Sequence, residues 1–262
     1  MINQKYTRET VTHVRQWVSD KLFSFTTTRP DHFSFIPGQF ARLGLPTCEG
    51  GAPQVWRAYS MVNGPGQTGL EFYSILVPGG EFTPRLAKLV PGDSLYIDRS
   101  AFGFLTLDRF EPGGVLWLIA TGTGVSAYLS LLQDANTWLS YQRIILVHGV
   151  RHAAELAYRA EILEWAARPP VSVDPKSAAQ LRYLPIATRE KLPDTPQERL
   201  TRLIESGQLE TLADSALDPK ASKVMLCGNP EMLHEARGLL TKRGFAVGRR
   251  GIPGNMAVEN YW

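Results

Sequence analysis

Val115-Leu-Trp-Leu-Ile-Ala-Thr-Gly-Thr-Gly-Val-Ser-Ala127 is the stretch on which the reading of this chain turns. Val115–Ala120 is an apolar strand, and Gly122, Gly124 and Ala127 follow it in the spacing G-x-G-x-x-A, where a strand turns tightly into a helix. Without side chains the glycines let backbone N–H groups approach a diphosphate, and the start of the helix adds a favourable partial charge for an anion. Thr121, Gly122 and Gly124 are therefore candidate contacts to a nucleotide. A plain tight turn uses glycine in the same way; the strand–turn–helix context favours the nucleotide.

Downstream the texture continues as helix Val125–Trp138, strand Ile144–Val150, helix Ala154–Ala167, strand Leu181–Ala187, helix Arg199–Glu205, strand Lys223–Cys227 and helix Glu231–Arg243. That alternation is the rhythm of βαβ units around a parallel sheet. A NAD-type site places Asp or Glu after the second strand to hold the ribose hydroxyls, whereas here Val150 is followed by Arg151, which suits a 2′-phosphate. Thr188 and Arg189 follow the next strand and Arg199 lies further on, so guanidinium groups could converge on phosphate oxygens; the alternative is that they are solvated surface arginines. Cys227-Gly228-Asn229-Pro230 closes a strand and opens a helix, the place where nucleotides bind in open parallel sheets. No base neighbours Cys227 in sequence, so it is read as a packing and positioning group rather than a nucleophile.

Upstream, short runs at Leu22–Thr27, Phe40–Leu45, Arg57–Val62, Leu70–Val77 and Ser94–Asp98 are separated by Pro37-Gly38, Gly64-Pro65-Gly66, Pro78-Gly79-Gly80 and Pro91-Gly92. They predict an antiparallel barrel with one short helix near Phe82–Leu89. The expected organisation is a β-barrel domain over 1–110 and an α/β domain over 111–262, with the turn Glu111–Gly114 at the boundary.

Composition narrows the function. No apolar run reaches the roughly eighteen residues of a membrane span, and the polar start does not resemble a signal peptide, so a cytoplasmic, membrane-free protein is expected. Cys48 and Cys227 form no CxxC pair and the five histidines show no ligand spacing, which argues against metal, cluster or disulfide framework. A net charge of +3 is too small to argue for nucleic acid, although 237–250 holds five basic residues and no acid and could meet an acidic partner.

Arg57-Ala58-Tyr59-Ser60, preceded by Ile36-Pro37-Gly38-Gln39-Phe40, resembles the FAD-binding signature of the ferredoxin–NADP⁺ reductase family. The likeness runs on through LEFYSILVPGGEFTPRL (70–86), PGD (91–93), ATGTG, LVHGVR, MLCGNPEM and the terminal ENYW, and is nearest to the bacterial ferredoxin/flavodoxin–NADP⁺ reductases ending in Tyr-Trp. The resemblance implies non-covalent FAD on the barrel, NADP(H) on the α/β domain, and transient exchange with a ferredoxin or flavodoxin by a monomer. It implies that Arg57 pairs with the FAD pyrophosphate, that Tyr59 lies along the flavin with Ala58 in the same strand, and that Ser60 sits near the reactive nitrogen. Tyr73, Ser74, Ile75 and Leu76 would line the flavin, Glu81, Phe82 and Thr83 would receive its phosphates, and Thr123 would face it. Cys227, Gly228 and Asn229 would face the nicotinamide, and Tyr261 and Trp262 would cover the flavin. Ser60, Cys227 and Trp262 are the expected catalytic positions. Glu81 departs from expectation, since a carboxylate repels a diphosphate, so its side chain should point outward. A flavin reductase subunit for another acceptor is the rival, often with a cysteine cluster that this chain lacks; a non-redox nucleotide-binding module is the other.

Overall fold

The computed structural model describes residues 5–46, 51–248 and 252–260. In the first part, β1 (Tyr6–Val18), β2 (Leu22–Thr27), β3 (Phe40–Pro46), β4 (Pro53–Ser60), β5 (Leu70–Ile75) and, after the single-turn helix α1 (Thr83–Leu86), β6 (Ser94–Asp98) form one antiparallel sheet of order β4-β3-β6-β1-β2-β5. Its two edges meet where Met61 bridges Phe72 and the Val62 N–H donates to the Glu71 carbonyl at 2.8 Å, closing a barrel around Val11, Phe25, Leu43, Phe72, Leu95 and Ile97. The strand expected at Arg57–Val62 starts earlier, with Pro53 at its first residue, where a missing N–H costs no central ladder bond. The strand β1 was not anticipated: it pairs with β6 over Tyr6–Thr10 and with β2 beyond Val11, and its mostly polar residues give no apolar alternation.

In the second part a parallel sheet of order β11-β10-β7-β8-β9 is built from β7 (Val115–Thr121), β8 (Arg143–Val150), β9 (Gln180–Ala187), β10 (Ser222–Cys227) and β11 (Met256–Glu259). The helices are α2 (Ser126–Leu132), α3 (Ala135–Ser140), α4 (Arg159–Ala167), α5 (Leu200–Glu205), α6 (Gln208–Ala213) and α7 (Pro230–Lys242). Two expected helices are shorter than predicted. The run Val125–Trp138 is divided into a 3₁₀ turn at Gly122–Val125, then α2 and α3; Ala154–Ala167 becomes a 3₁₀ turn at Ala153–Glu155 and α4, separated at Tyr158, whose φ is +59°. The order of strands reverses beside β7, which lies between β8 and β10, so the crevice at the carboxyl ends of β7 and β10 is the topological switch point where ligands bind in open α/β sheets.

One face of this sheet packs Trp117, Ile119, Ile145 and Val147 against Leu203 and Leu240. The other packs Leu116, Leu118, Ile144 and Leu146 in a cluster that runs on to Leu22, Val62, Tyr73, Leu105, Leu107 and Phe110. The barrel and the α/β unit thus share apolar core. We propose 110/111 as their boundary, because the barrel strands lie before it and β7 begins at Val115. Gly114 at the turn (φ +73°) admits no other residue: a Cβ would lie 2.0 Å from the Ala221 carbonyl oxygen.

Candidate functional site

Two cavities open at the switch point and share Tyr73, Ile75 and Thr123 as a common wall. The first, about 390 Å³, lies between the barrel and the glycine turn and is lined by Arg57, Ala58, Tyr59, Ser60, Ser74, Glu81, Phe82, Thr83, Gly124 and Gly228 besides the shared residues. Tyr59 on β4 reaches across to Ser74 on β5, hydroxyl to Oγ 3.2 Å, and its ring tilts against Phe82 with centroids 5.9 Å apart. Burial pushes the Tyr59 hydroxyl up to about 12, with Ser74 and Arg57 opposing, so it stays protonated. Arg57 is exposed at the cavity and donates to its neighbour's carbonyl, Trp56 O, at 2.8 Å. Thr83 Oγ1 accepts from the Val77 N–H at 2.9 Å, which leaves its own O–H to donate elsewhere. The helix behind it, α1, is a single turn, so the partial charge expected of a helix start is small and the local N–H groups are what remains. Glu81 is exposed, yet it belongs to the lining.

Tyr73 sits between the cavities. It is 3% exposed and its hydroxyl has no hydrogen-bond partner among the described residues, although burial, with Glu155 and Tyr183 nearby, keeps it firmly protonated. A buried donor left unmatched costs free energy that a ligand's acceptor removes.

The second cavity, about 400 Å³, is lined by Thr121, Gly122, Val150, Arg151, Thr188, Arg199 and Asn229, with Glu155, Glu231 and Glu235. Arg151, Thr188 and Arg199 all belong to its lining. The Arg189 side chain is exposed and off the lining; its N–H donates to the Arg151 carbonyl at 2.9 Å. Sequence reasoning passed over Glu155, four residues beyond Arg151. Its side chain, 9% exposed, is paired with Lys21 from the barrel, lies 3.7 Å from Arg151 Nε and accepts from the Arg151 N–H at 3.0 Å. Burial would raise its pKa, but Lys21 and Arg151 hold it below the usual carboxylate value.

The turn between the cavities is tied down by side chains and close backbone contacts. Thr121 Oγ1 accepts from the Asn229 N–H at 2.8 Å, and Asn229 Oδ1 caps α7 through the N–H groups of Glu231 and Met232, at 2.9 and 3.1 Å. A Cβ on Gly228 (φ +133°) would lie 2.2 Å from Thr121 Oγ1, and one on Gly124 would lie 2.7 Å from the Cys227 carbonyl oxygen. Cys227 itself is fully buried beside Met225 and Ala257 and lines neither cavity; burial pushes its thiol well up, so it is a neutral core group, not a poised nucleophile. Leu76 is also off both linings. Tyr261 and Trp262 lie outside the described residues, though β11 leads toward them from beside Cys227, which pairs with Glu259.

Comparison with known proteins identifies the family. Residues 118–238 match the oxidoreductase NAD-binding domain family. Over 97% of this chain and 89% of its own length, ferredoxin–NADP reductase A from Sorangium cellulosum is 41% identical to it. The chain belongs to the ferredoxin–NADP⁺ reductase family. The flavodoxin/ferredoxin–NADP reductase of Escherichia coli is 38% identical, covering 96% of this chain and 97% of its own. Among solved structures, a ferredoxin NADP⁺ reductase from Neisseria gonorrhoeae with bound FAD and NADP superposes with a TM-score of 0.90 at 30% identity, over 99% of this chain and 100% of that one. The two-domain fold of the family, barrel first and parallel sheet second, is the fold found here.

Proposed function

We propose that this reductase oxidises NADPH and delivers the electrons singly to a ferredoxin or flavodoxin by way of a non-covalently held FAD. The observation that carries the reading is the shared wall: one cavity suits a planar flavin, the other a phosphorylated nicotinamide nucleotide, and they meet at Tyr73, Ile75 and Thr123. The residues fit FAD. Tyr59 and Phe82 offer ring faces, Ser60, Ser74 and Thr83 offer hydroxyls, Arg57 offers a guanidinium for the diphosphate, and the unmatched Tyr73 hydroxyl offers a donor. FAD supplies the step that converts a two-electron hydride donor into a source for one-electron carriers.

The chain's own work is placement. Arg57 and the N–H groups near Thr83 anchor an anion, Tyr59 holds one face of the ring system, and Ser60, 8% exposed, sets a hydroxyl at the buried end of β4. Arg151, Thr188 and Arg199 hold the 2′-phosphate, with Arg189 at most an outer electrostatic contribution. Gly122 and Asn229, on the second cavity, let the nucleotide backbone approach, whereas Gly124 and Gly228, expected on the same ligand, line the flavin cavity instead; Trp262, with Tyr261, covers the flavin. No side chain needs to act as acid or base along this route. The acidic carrier meets a basic surface on which Arg243 is already paired with Glu210 at 2.7 Å while Arg237 and Lys242 are exposed; Arg249 and Arg250 lie outside the described residues. A cytoplasmic monomer with a transient carrier complex completes the reading. No helix among the described residues is long and apolar enough to cross a membrane.

The test is the purified protein's colour. A yellow preparation whose flavin passes into the supernatant on acid precipitation is expected; a colourless one that added FAD leaves colourless would overturn the proposal.

A further inference from the structure

The strand β8 carries a buried titratable side chain to which the roles above give no part. His148 is 0% exposed beneath the glycine turn, with Nε2 3.1 Å from the Gly122 carbonyl oxygen and Nδ1 3.4 Å from the Tyr183 hydroxyl. A carbonyl only accepts, so the ring proton sits on Nε2, and Nδ1 accepts from the Tyr183 O–H. Burial lowers the His148 pKa to about 4, with the Gly122 carbonyl and Glu155 only partly opposing, so the neutral form that this arrangement requires persists at neutral pH.

The consequence lies in the peptide that joins Gly122 to Thr123. It is planar and trans, so its carbonyl and the following N–H point in opposite directions. Holding the Gly122 carbonyl down onto β8 turns the Thr123 N–H away from the sheet, on a residue that lines both cavities. Gly122 needs such an anchor. It has φ +54°, nothing lies within 4 Å of where its Cβ would be, and glycine restrains its own peptide least of all residues. The neighbours are fixed separately, since the Ser126 hydroxyl donates to the Thr123 carbonyl at 2.8 Å and Thr121 Oγ1 holds the Asn229 N–H.

The geometry points to His148 as a positioning residue for the nicotinamide nucleotide: its Nε2–H fixes the Gly122–Thr123 peptide so that the Thr123 N–H is presented to the diphosphate. This rests on the assignment of the second cavity to NADP(H). Glutamine carries its amide nitrogen about as far from Cα as imidazole Nε2, whereas asparagine reaches only as far as Nδ1. The pair therefore separates the hydrogen bond from mere polarity and bulk.

The experiment uses FAD-loaded wild type, His148→Gln and His148→Asn, measuring NADP⁺ affinity by calorimetry, KM and kcat for NADPH, and Tm, with the ¹⁵N spectrum of the wild-type imidazole. His148→Asn should weaken NADP⁺ about five- to tenfold and raise KM more than it lowers kcat, the size expected of one lost hydrogen bond. His148→Gln should stay within about twofold of wild type although its Tm falls comparably. The spectrum should show a neutral Nε2–H ring that does not titrate between pH 6 and 8. Equal NADP⁺ affinity in His148→Asn and wild type, equal losses in both variants, or a proton on Nδ1 would overturn the inference. A wild type that binds no NADP⁺ would instead overturn the functional assignment on which it rests, with the imidazole spectrum unchanged.

Discussion

Replacing Arg199 by Ala should raise the KM for NADPH about tenfold while leaving NADH within about twofold. Arg199 caps α5 in an extended conformation and faces the second cavity with Thr188, so its guanidinium can close on a 2′-phosphate that NADH does not carry. A hydrogen bond to a charged group is worth about 1.5–3 kcal/mol; Arg199 is exposed, so solvent holds the contribution to the lower end, and about 1.4 kcal/mol is one decade. Arg189→Ala should add little, because its side chain is off the lining; the Arg189→Ala/Arg199→Ala double variant should lose at least about tenfold, nearly all through Arg199. Arg151 shares its charge with Glu155, and its removal should cost NADPH only about threefold. Steady-state kinetics with ferricyanide as acceptor keeps carrier docking out of the comparison. Equal losses for NADPH and NADH in Arg199→Ala would refute the reasoning, since they would mean that the arginine supports the fold of the cavity and not the phosphate.

Three other outcomes are expected. Gly228→Ala forces a side chain into φ +133° and into Thr121 Oγ1, so it should cost about 1–3 kcal/mol of stability and weaken NADP⁺; a variant as stable as wild type in urea would refute that strain. Glu155 has a folded pKa held below 4.5, so the Lys21–Glu155 pair stabilises the protein above that value and stops doing so as pH falls through the lower folded one; the Tm gap to Glu155→Gln should be present at pH 7 and close in acid, and a gap unchanged down to pH 3 would contradict it. Trp262→Ala should tighten NADP⁺ several-fold if the stacking to be displaced is worth about 0.5–1.5 kcal/mol, and an unchanged flavin spectrum and affinity would return Trp262 to an ordinary terminus.

The parts of this protein that were legible in its sequence are those whose signal is local. Val115–Ala120 and Ile144–Val150 read as strands because both faces of the parallel sheet are buried, which leaves apolar runs without polar interruption. Gly122 and Gly124 read as a tight turn between strand and helix because of their spacing, and the tight backbone approach is present, with no room for a Cβ at Gly124 or at Gly228 opposite it. What was missed depends on partners far away in the chain. The long strand β1 changes neighbours part-way and keeps most of its residues wet, so no period-two pattern marks it, and β11 is four residues on an edge. Val125–Trp138 looked continuous, yet α2 ends at Leu132 and is capped by Gln133, whose side-chain amide donates to the Val62 carbonyl of the barrel at 2.9 Å. Glu155 gains its meaning from Lys21, and Cys227 loses the chemical one suggested by its position because its side chain turns into the core. Contacts between the two domains carry no sequence period, and the site is made where those domains meet.

The most direct measurement is anaerobic reduction of a ferredoxin and of a flavodoxin by NADPH, comparing the FAD-loaded protein with the same protein stripped of flavin and then reconstituted. The account predicts reduction of at least one carrier by the loaded protein, its loss on stripping, its return with added FAD, and a much slower reaction with NADH. An enzyme that binds FAD and consumes NADPH with ferricyanide, yet passes electrons to neither carrier at any concentration tested, would contradict it.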